Sequence, residues 1–262
     1  MNMKATMAAG VFALCSAGAA PAALLDYSTD FTSSDGFSDG TSIDEIDGWL
    51  AQGTNGPAAN TGSFGSFSIS GNGPAYVHAG SGGSFGVGDS IELMIDVFYT
   101  NSTQNQNLRI GIKEGLSVNG PGSRAQAGIV FRNDFQGDLE VDGTAQDGSE
   151  DQPIVDSGFD AAAGQASGET VVVTITKSAT EDLFDVSWSY RSGAATGAFT
   201  VTNESLYDAT DVYGVIQYNG PTNSVNIDSF ALDYTVVPEP ATVFTAGLGS
   251  LMALLRRRRS LA

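Results

Sequence analysis

One cysteine, one histidine and eleven basic residues are all that this 262-residue chain contains of those types, and each scarcity closes off a class of chemistry. Cys15 has no partner for a disulfide, and tetrahedral zinc sites built from Cys and His lack their ligands. His78 would have to serve any Ser-His-Asp or Cys-His arrangement, yet no Gly-x-Ser-x-Gly nucleophile turn accompanies it. It reads as an ordinary strand or surface histidine. Thirty Asp and Glu against eleven Lys and Arg give a net charge of -19, the wrong sign for neutralising phosphate, so nucleic-acid binding is excluded. A helical apolar period is missing as well; the short stretch 161–166 is interrupted by Gly164. What remains is 41% hydrophobic, enough for a packed core despite the charge.

The two ends read as addresses rather than as fold. Residues 1–22 carry Lys4, an apolar run over 7–14 and a small-residue stretch in which Ala20 and Ala22 form an A-x-A cleavage pattern. This is a secretory signal peptide with a mature start near Ala23, which removes Cys15 and suits an exported protein without thiols. Residues 238–262 contain Pro238-Glu239-Pro240, an apolar segment over 241–255, and Arg256-Arg257-Arg258-Arg259. At a rise of about 1.5 Å per residue the apolar segment reaches roughly 22 Å, short of the ~30 Å hydrocarbon core, so it makes a poor permanent anchor. Four arginines hold its end on the cytoplasmic side and leave everything before Pro238 outside.

This tripartite end resembles the PEP-CTERM sorting signal of exopolysaccharide-producing Gram-negative bacteria. The resemblance implies an exosortase-type processing enzyme as partner, transient membrane association through the C-terminal segment, and a destination in the cell envelope, cell surface or extracellular matrix. A tail anchor with a stop-transfer cluster predicts the same topology and differs only in whether the tail is removed. Without Lys4 and the four terminal arginines, six basic residues face thirty acids, and the stretch 26–239 carries about -24. Such a surface repels anionic lipid and grips an acidic polysaccharide only through bridging cations.

Between the ends, residues 23–237 read as one domain. Apolar residues alternate in short runs over 90–99, 108–113, 127–132, 138–141, 170–177, 184–190, 198–202, 212–218 and 224–236. Turn signals separate them, among them Asn119-Gly120-Pro121-Gly122, Asp142-Gly143 and Asn219-Gly220-Pro221. Ten to twelve short strands without helical crossovers predict an all-β fold, a two-sheet antiparallel sandwich. The Gly/Ser-rich section 53–88 holds Phe64, Phe67, Ile69, Tyr76 and Phe85, so it supplies short edge strands and loops rather than a linker. The layout resembles the concanavalin A-like lectin/glucanase jelly rolls, which include laminin-G-like domains. The residues that carry the resemblance are Asp30-Phe31, Asp47-Gly48-Trp49, and the pair Gly214-Val215-Ile216-Gln217-Tyr218 and Val225-Asn226-Ile227-Asp228-Ser229-Phe230. It sets Asp228 just before the last inner-face strand.

Three groups of residues are candidates for chemistry. Glu45-Ile46-Asp47 resembles the start of the Glu-x-Asp-x-x-Glu strand of laminarinase-type hydrolases, but Leu50 stands at the third position, and no catalytic residue is assigned. Asp138, Glu140 and Asp142 have the oxygen spacing of the first half of a calcium loop, with Ser149 where a bidentate Glu belongs. They are the candidate calcium ligands, although Leu139 and Val141 between them fit a strand face and favour a solvated hairpin; no other cofactor is implied. Trp49, beside a glycine turn, and Tyr76 are candidate platforms for stacking sugar rings, whereas alternation turns Trp188 and Tyr190 inward. The function expected is that of an exported, non-catalytic surface or matrix protein that binds carbohydrate, with extracellular polysaccharide as partner. The alternatives are a glycan hydrolase or lyase on the same fold, and an acidic structural protein without a ligand.

Overall fold

The structure is a computed structural model that describes residues 26–37, 43, 46, 48–51, 59–60, 66–78, 82–99, 106–118, 124–133, 138–144, 155–160, 169–190 and 195–237. The strands are β1 (Tyr27–Thr29), β2 (Trp49–Ala51), β3 (Ala59–Asn60), β4 (Ser66–His78), β5 (Ser90–Tyr99), β6 (Gln106–Glu114) and β7 (Ala127–Asn133). They continue as β8 (Asp138–Gly143), β9 (Val155–Asp160), β10 (Glu169–Lys177), β11 (Leu183–Tyr190), β12 (Ala195–Thr202) and β13 (Val212–Thr235). A single helical turn, α1 (Glu204–Tyr207), is capped by the Asn203 side chain, which accepts the Leu206 amide at 2.9 Å.

Every pairing is antiparallel, and the hydrogen-bonded order runs β12-β11-β10-β5-β13-β6-β7-β8-β9. The path folds into two layers because β13 belongs to both. Residues 212–219 pair with β6, whereas 225–235 pair with β5. β4 follows β13 through the passage, and the register slips between Gly220 and Ser224 where the strands cross from one layer to the other. β12, β11, β10, β5, the end of β13 and β1 form the back layer; the start of β13, β6, β7, β8 and β9 form the front, with β2 on the far side of β4. The result is the expected antiparallel jelly-roll sandwich.

In the back layer, period-two alternation becomes one buried face. Ile91, Leu93, Ile95 and Val97 of β5 face the core, as do Val171, Val173 and Ile175 of β10 and Phe184, Val186, Trp188 and Tyr190 of β11. Trp188 and Tyr190 thus lie inward as their positions required. The front layer differs, since every residue from Leu108 to Lys113 and from Ala127 to Phe131 is buried. A second apolar cluster, separate from the main core, joins Val77 of β4 and Val215 of β13 to Ala125, with Val118 and Tyr213 against it.

Two strand assignments change. The segments 212–218 and 224–236 are one continuous β13, because Asn219-Gly220-Pro221 serves as the passage between layers instead of closing a hairpin. Within 53–88, β4 is thirteen residues long and interior, flanked by β13 and by β2 and β3, so it is no edge strand.

Candidate functional site

The end of β13 meets the turn before β5 at one rim of the sandwich. Asp89, 5% exposed, closes that turn: its Oδ2 accepts the Gly86 amide at 2.8 Å and the Tyr234 hydroxyl at 2.5 Å, and its Oδ1 accepts the Val237 amide at 2.8 Å. The Ser84 carbonyl lies 2.8 Å from the same hydroxyl. Burial, and then the bond to the Asp89 carboxylate, hold the Tyr234 phenol well above its ordinary range. Lys177 pins the other side of the turn. Its ammonium donates to the carbonyls of Phe85, at 3.0 Å, and Tyr207, and sits 4.3 Å from the Tyr207 ring centroid. Burial lowers the Lys177 ammonium, with Asp208 and Asp89 opposing. From the N-terminal side, Asp26 Oδ1 accepts the Tyr234 amide at 3.1 Å, so both ends of the described body reach this rim.

A second polar group lies under the cover of the front layer. Lys113 is wholly buried and donates to the carbonyls of Gly115 at 3.0 Å and Ser117 at 2.8 Å, which closes the turn after β6. Burial pushes its ammonium down to about 8, with Glu114 opposing. Because the folded state then binds fewer protons than the unfolded chain between about pH 8 and about pH 10, stability should rise with pH across that window, by about 3 kcal/mol in all. Urea unfolding across the window checks this: the wild type should gain stability, and Lys113→Met should lose that slope.

The third feature is a groove of about 320 Å³ on the back layer, lined among others by Thr176, Asp185, Ser187, Phe199 and Thr200. It lies where β10, β11 and β12 present their outward positions, with Thr176 opposite Asp185 and Asp185 opposite Thr200 in register, whereas Phe199, opposite buried Val186, turns inward and packs against the core. Hydroxyls and one carboxylate on this outer face are donors and acceptors of the kind that meet the hydroxyls of a sugar ring.

The sequence-derived candidates fare unequally. Trp49 is a correction: it is 0% exposed and packs against Tyr27, Phe31, His78 and Phe230, so it offers no platform to a ligand. The Gly48 turn, with φ of +83°, feeds β2 inward along His78 of β4, which is why a residue next to a turn is core. His78 is likewise buried, its ring stacked on Tyr27 at 3.5 Å. Tyr76 lies on β4 in register with Ala51 and Ile216. Asp138, Glu140 and Asp142 are on β8, an extended strand paired on both sides, and not on a calcium-type loop. Among the described residues no group of three or more His, Cys, Asp or Glu is placed to hold a metal ion. Asp228 is the extra residue at the register shift between Ile227 and Ser229, and buried Phe230 follows it. Burial, then the Asp96 charge, raises its carboxyl above the ordinary range, while Asp96 accepts the Thr170 and Ser229 hydroxyls at 2.6 and 2.9 Å.

Glu45, Asp47, Pro238, Glu239, Pro240 and Arg256, Arg257, Arg258 and Arg259 lie outside the described residues. Among the described residues no helix is long and apolar enough to cross a membrane. Sequence reasoning missed Asp89 and Tyr234 altogether. Gly86-Val87-Gly88-Asp89 announces a turn, but nothing in it points to a partner 145 residues away.

The fold is an antiparallel two-layer β-sandwich of concanavalin A-like shape, and its central strand ends at this rim. Residues 236–259 match the family model for the PEP-CTERM protein-sorting motif, which marks the chain as exported to the cell envelope or surface and implies an exosortase-type processing partner. No curated protein matches the chain in sequence. Among solved structures the chain is similar to peanut lectin with a nine-residue peptide, at 13% identity and a TM-score of 0.50, covering 81% of this chain and 98% of that one. It is similar also to the metal-free form of lectin I-B4 from Griffonia simplicifolia, at 12% identity and a TM-score of 0.50, covering 81% and 100%. These likenesses show the legume-lectin jelly roll and the fold alone.

Proposed function

We propose that the chain is a non-catalytic, carbohydrate-binding protein of the cell surface or extracellular matrix, released from its tail by an exosortase-type enzyme. The observation that carries the binding reading is the hydroxyl-lined groove at Thr176, Asp185, Ser187 and Thr200 on a sandwich of lectin shape. With a body near -24, neutral glycans are the favoured ligands; acidic polysaccharide requires a bridging divalent cation. Tyr76 is a second proposed contact, and calcium at Asp138, Glu140 and Asp142 would have to use positions spread along a strand.

A glycan array and a reducing-sugar release assay on the exported protein, each with calcium and with chelator, test the reading. Retention of neutral glycans without new reducing ends is expected, and Asp185→Ala with Thr200→Val should weaken it about tenfold or more, the loss of about 1.4 kcal/mol. Absence of retention on any glycan would overturn the binding reading.

The second reading is a glycan hydrolase or lyase on the same fold. Release of reducing sugar by the exported protein would establish it instead.

A further inference from the structure

The sorting motif and the sandwich overlap. The matched segment begins at Val236, and the next residue, Val237, gives its amide to a buried carboxylate of the body, Asp89. The ladder itself ends one step earlier, with Thr235 opposite Ser90. Beyond that point Asp89 takes over the work of a neighbouring strand, and a hydrogen bond to an ionised acceptor is stronger than the ladder bonds it continues.

The holder is itself fixed. The Gly88 amide donates to the Lys177 carbonyl at 2.8 Å and the Lys177 amide to the Asp89 carbonyl at 3.1 Å, so the turn is tied to the end of β10. Gly88 has φ of +87°, and a Cβ placed on it would lie 3.7 Å from the Val237 Cβ, so the Val237 side chain rests over the turn as well. Tyr234, three residues upstream on the same strand, is bound to the same carboxylate. Thus one buried side chain grips the outgoing chain at two points, Tyr234 and Val237.

Proteases take their substrates as extended segments with free backbone groups on both sides of the bond to be broken. A residue whose amide is already engaged by the folded body cannot enter such a cleft without releasing it. We propose that Asp89 is a positioning residue for removal of the tail: it holds Val237 to the rim, so that the sorting signal leaves the sandwich at a fixed point and the cut falls on the C-terminal side of Val237. The proposal rests on the reading that the tail is processed. In that step a peptide bond beyond Val237 is broken; its acyl carbon passes to water or to an acceptor amine, and the tail leaves with a free amino group.

The test uses the full chain in a host with an exosortase-type system and reads the intact mass of the exported form. The wild type should give a single C-terminus at Pro238 or beyond. Asp89→Ala should give ragged ends that reach Val237 or earlier residues, and Tyr234→Phe, which keeps the carboxylate on Val237, should keep the wild-type end. Hydrogen exchange on the purified full chain supplies a readout independent of the processing enzyme: the Val237 amide should exchange tenfold or more faster in Asp89→Ala, with Asp89→Asn intermediate if the alanine variant folds poorly. A wild-type end before Val237 would overturn the proposal. So would an unchanged single end in Asp89→Ala once Val237 has lost its protection. An unprocessed tail in the wild type overturns the sorting reading itself, and is distinguishable because it needs no variant.

Discussion

Trp49→Ala is expected to cost the folded chain about 3–5 kcal/mol, the range for emptying a large aromatic site in a packed core. The indole is fully buried and stands edge-on to Phe230 at 5.1 Å and to Tyr27 at 6.2 Å, with Phe31 at 5.9 Å and His78 at 5.4 Å. Its Nε1–H donates to the Tyr27 hydroxyl at 3.0 Å, so the truncation also leaves an acceptor without its donor. Trp49 is a hub between β1, β2, β4 and β13, and little around it can collapse into the space without moving a strand. Urea unfolding followed by circular dichroism checks the magnitude. The same variant separates the core reading from a surface platform: a platform would lose glycan retention at unchanged stability.

Gly128→Ala should be comparably damaging through the backbone instead of a cavity. Gly128 of β7 and Gly111 of β6 face each other in register, and the two chains approach so closely there that a side chain has no room. A Cβ on Gly128 would lie 2.2 Å from the Ile110 carbonyl oxygen, and one on Gly111 would lie 2.1 Å from the Ala127 carbonyl oxygen. Gly128 also has φ of +148°, outside what L side chains readily adopt. Backbone strain and overpacking each cost about 1–3 kcal/mol, and neither can be relieved by rotating a side chain, so a loss of about 3–5 kcal/mol follows. The front layer should open first. Hydrogen exchange should therefore show β6 and β7 amides losing protection before those of β10 and β11; equal loss in both layers would place the strain elsewhere.

The strands that the sequence made legible are the ones with one wet face. β5, β10 and β11 alternate between core and outward positions, and their period shows directly in the residues. β6 and β7 are buried on both faces, over 108–113 and 127–131, so the pattern reports a strand without saying which side is inside. β4 was harder still. Ser70-Gly71-Asn72-Gly73-Pro74 has the composition of a loop, and it is strand because β13 pairs with it along most of its length. Trp49 misled because a glycine turn predicts exposure locally, whereas the direction taken by the next three residues is a property of the sheet they join.

The sorting motif was legible because it is a composition in fixed order and needs no fold. The rim that receives it was not. Asp89, Tyr234 and Val237 come together through the antiparallel register of β5 and β13, and no local pattern encodes a register between segments 145 residues apart. The groove at Asp185 and Thr200 escaped for the same reason, since it is formed by outward positions of three strands at once.

The strand that carries the tail is an interior one, bordered by β5 on one side and by β4 and then β1 on the other. Its inter-strand hydrogen bonds run perpendicular to its length. Tension applied through the tail, whether from the membrane, from the processing enzyme or from flow past the cell, therefore pulls along β13 and must slide it past both neighbours at once. An edge strand under the same pull could be peeled away one bond at a time. The sandwich meets a pull on its tail in shear, the direction in which a sheet shares force over many bonds.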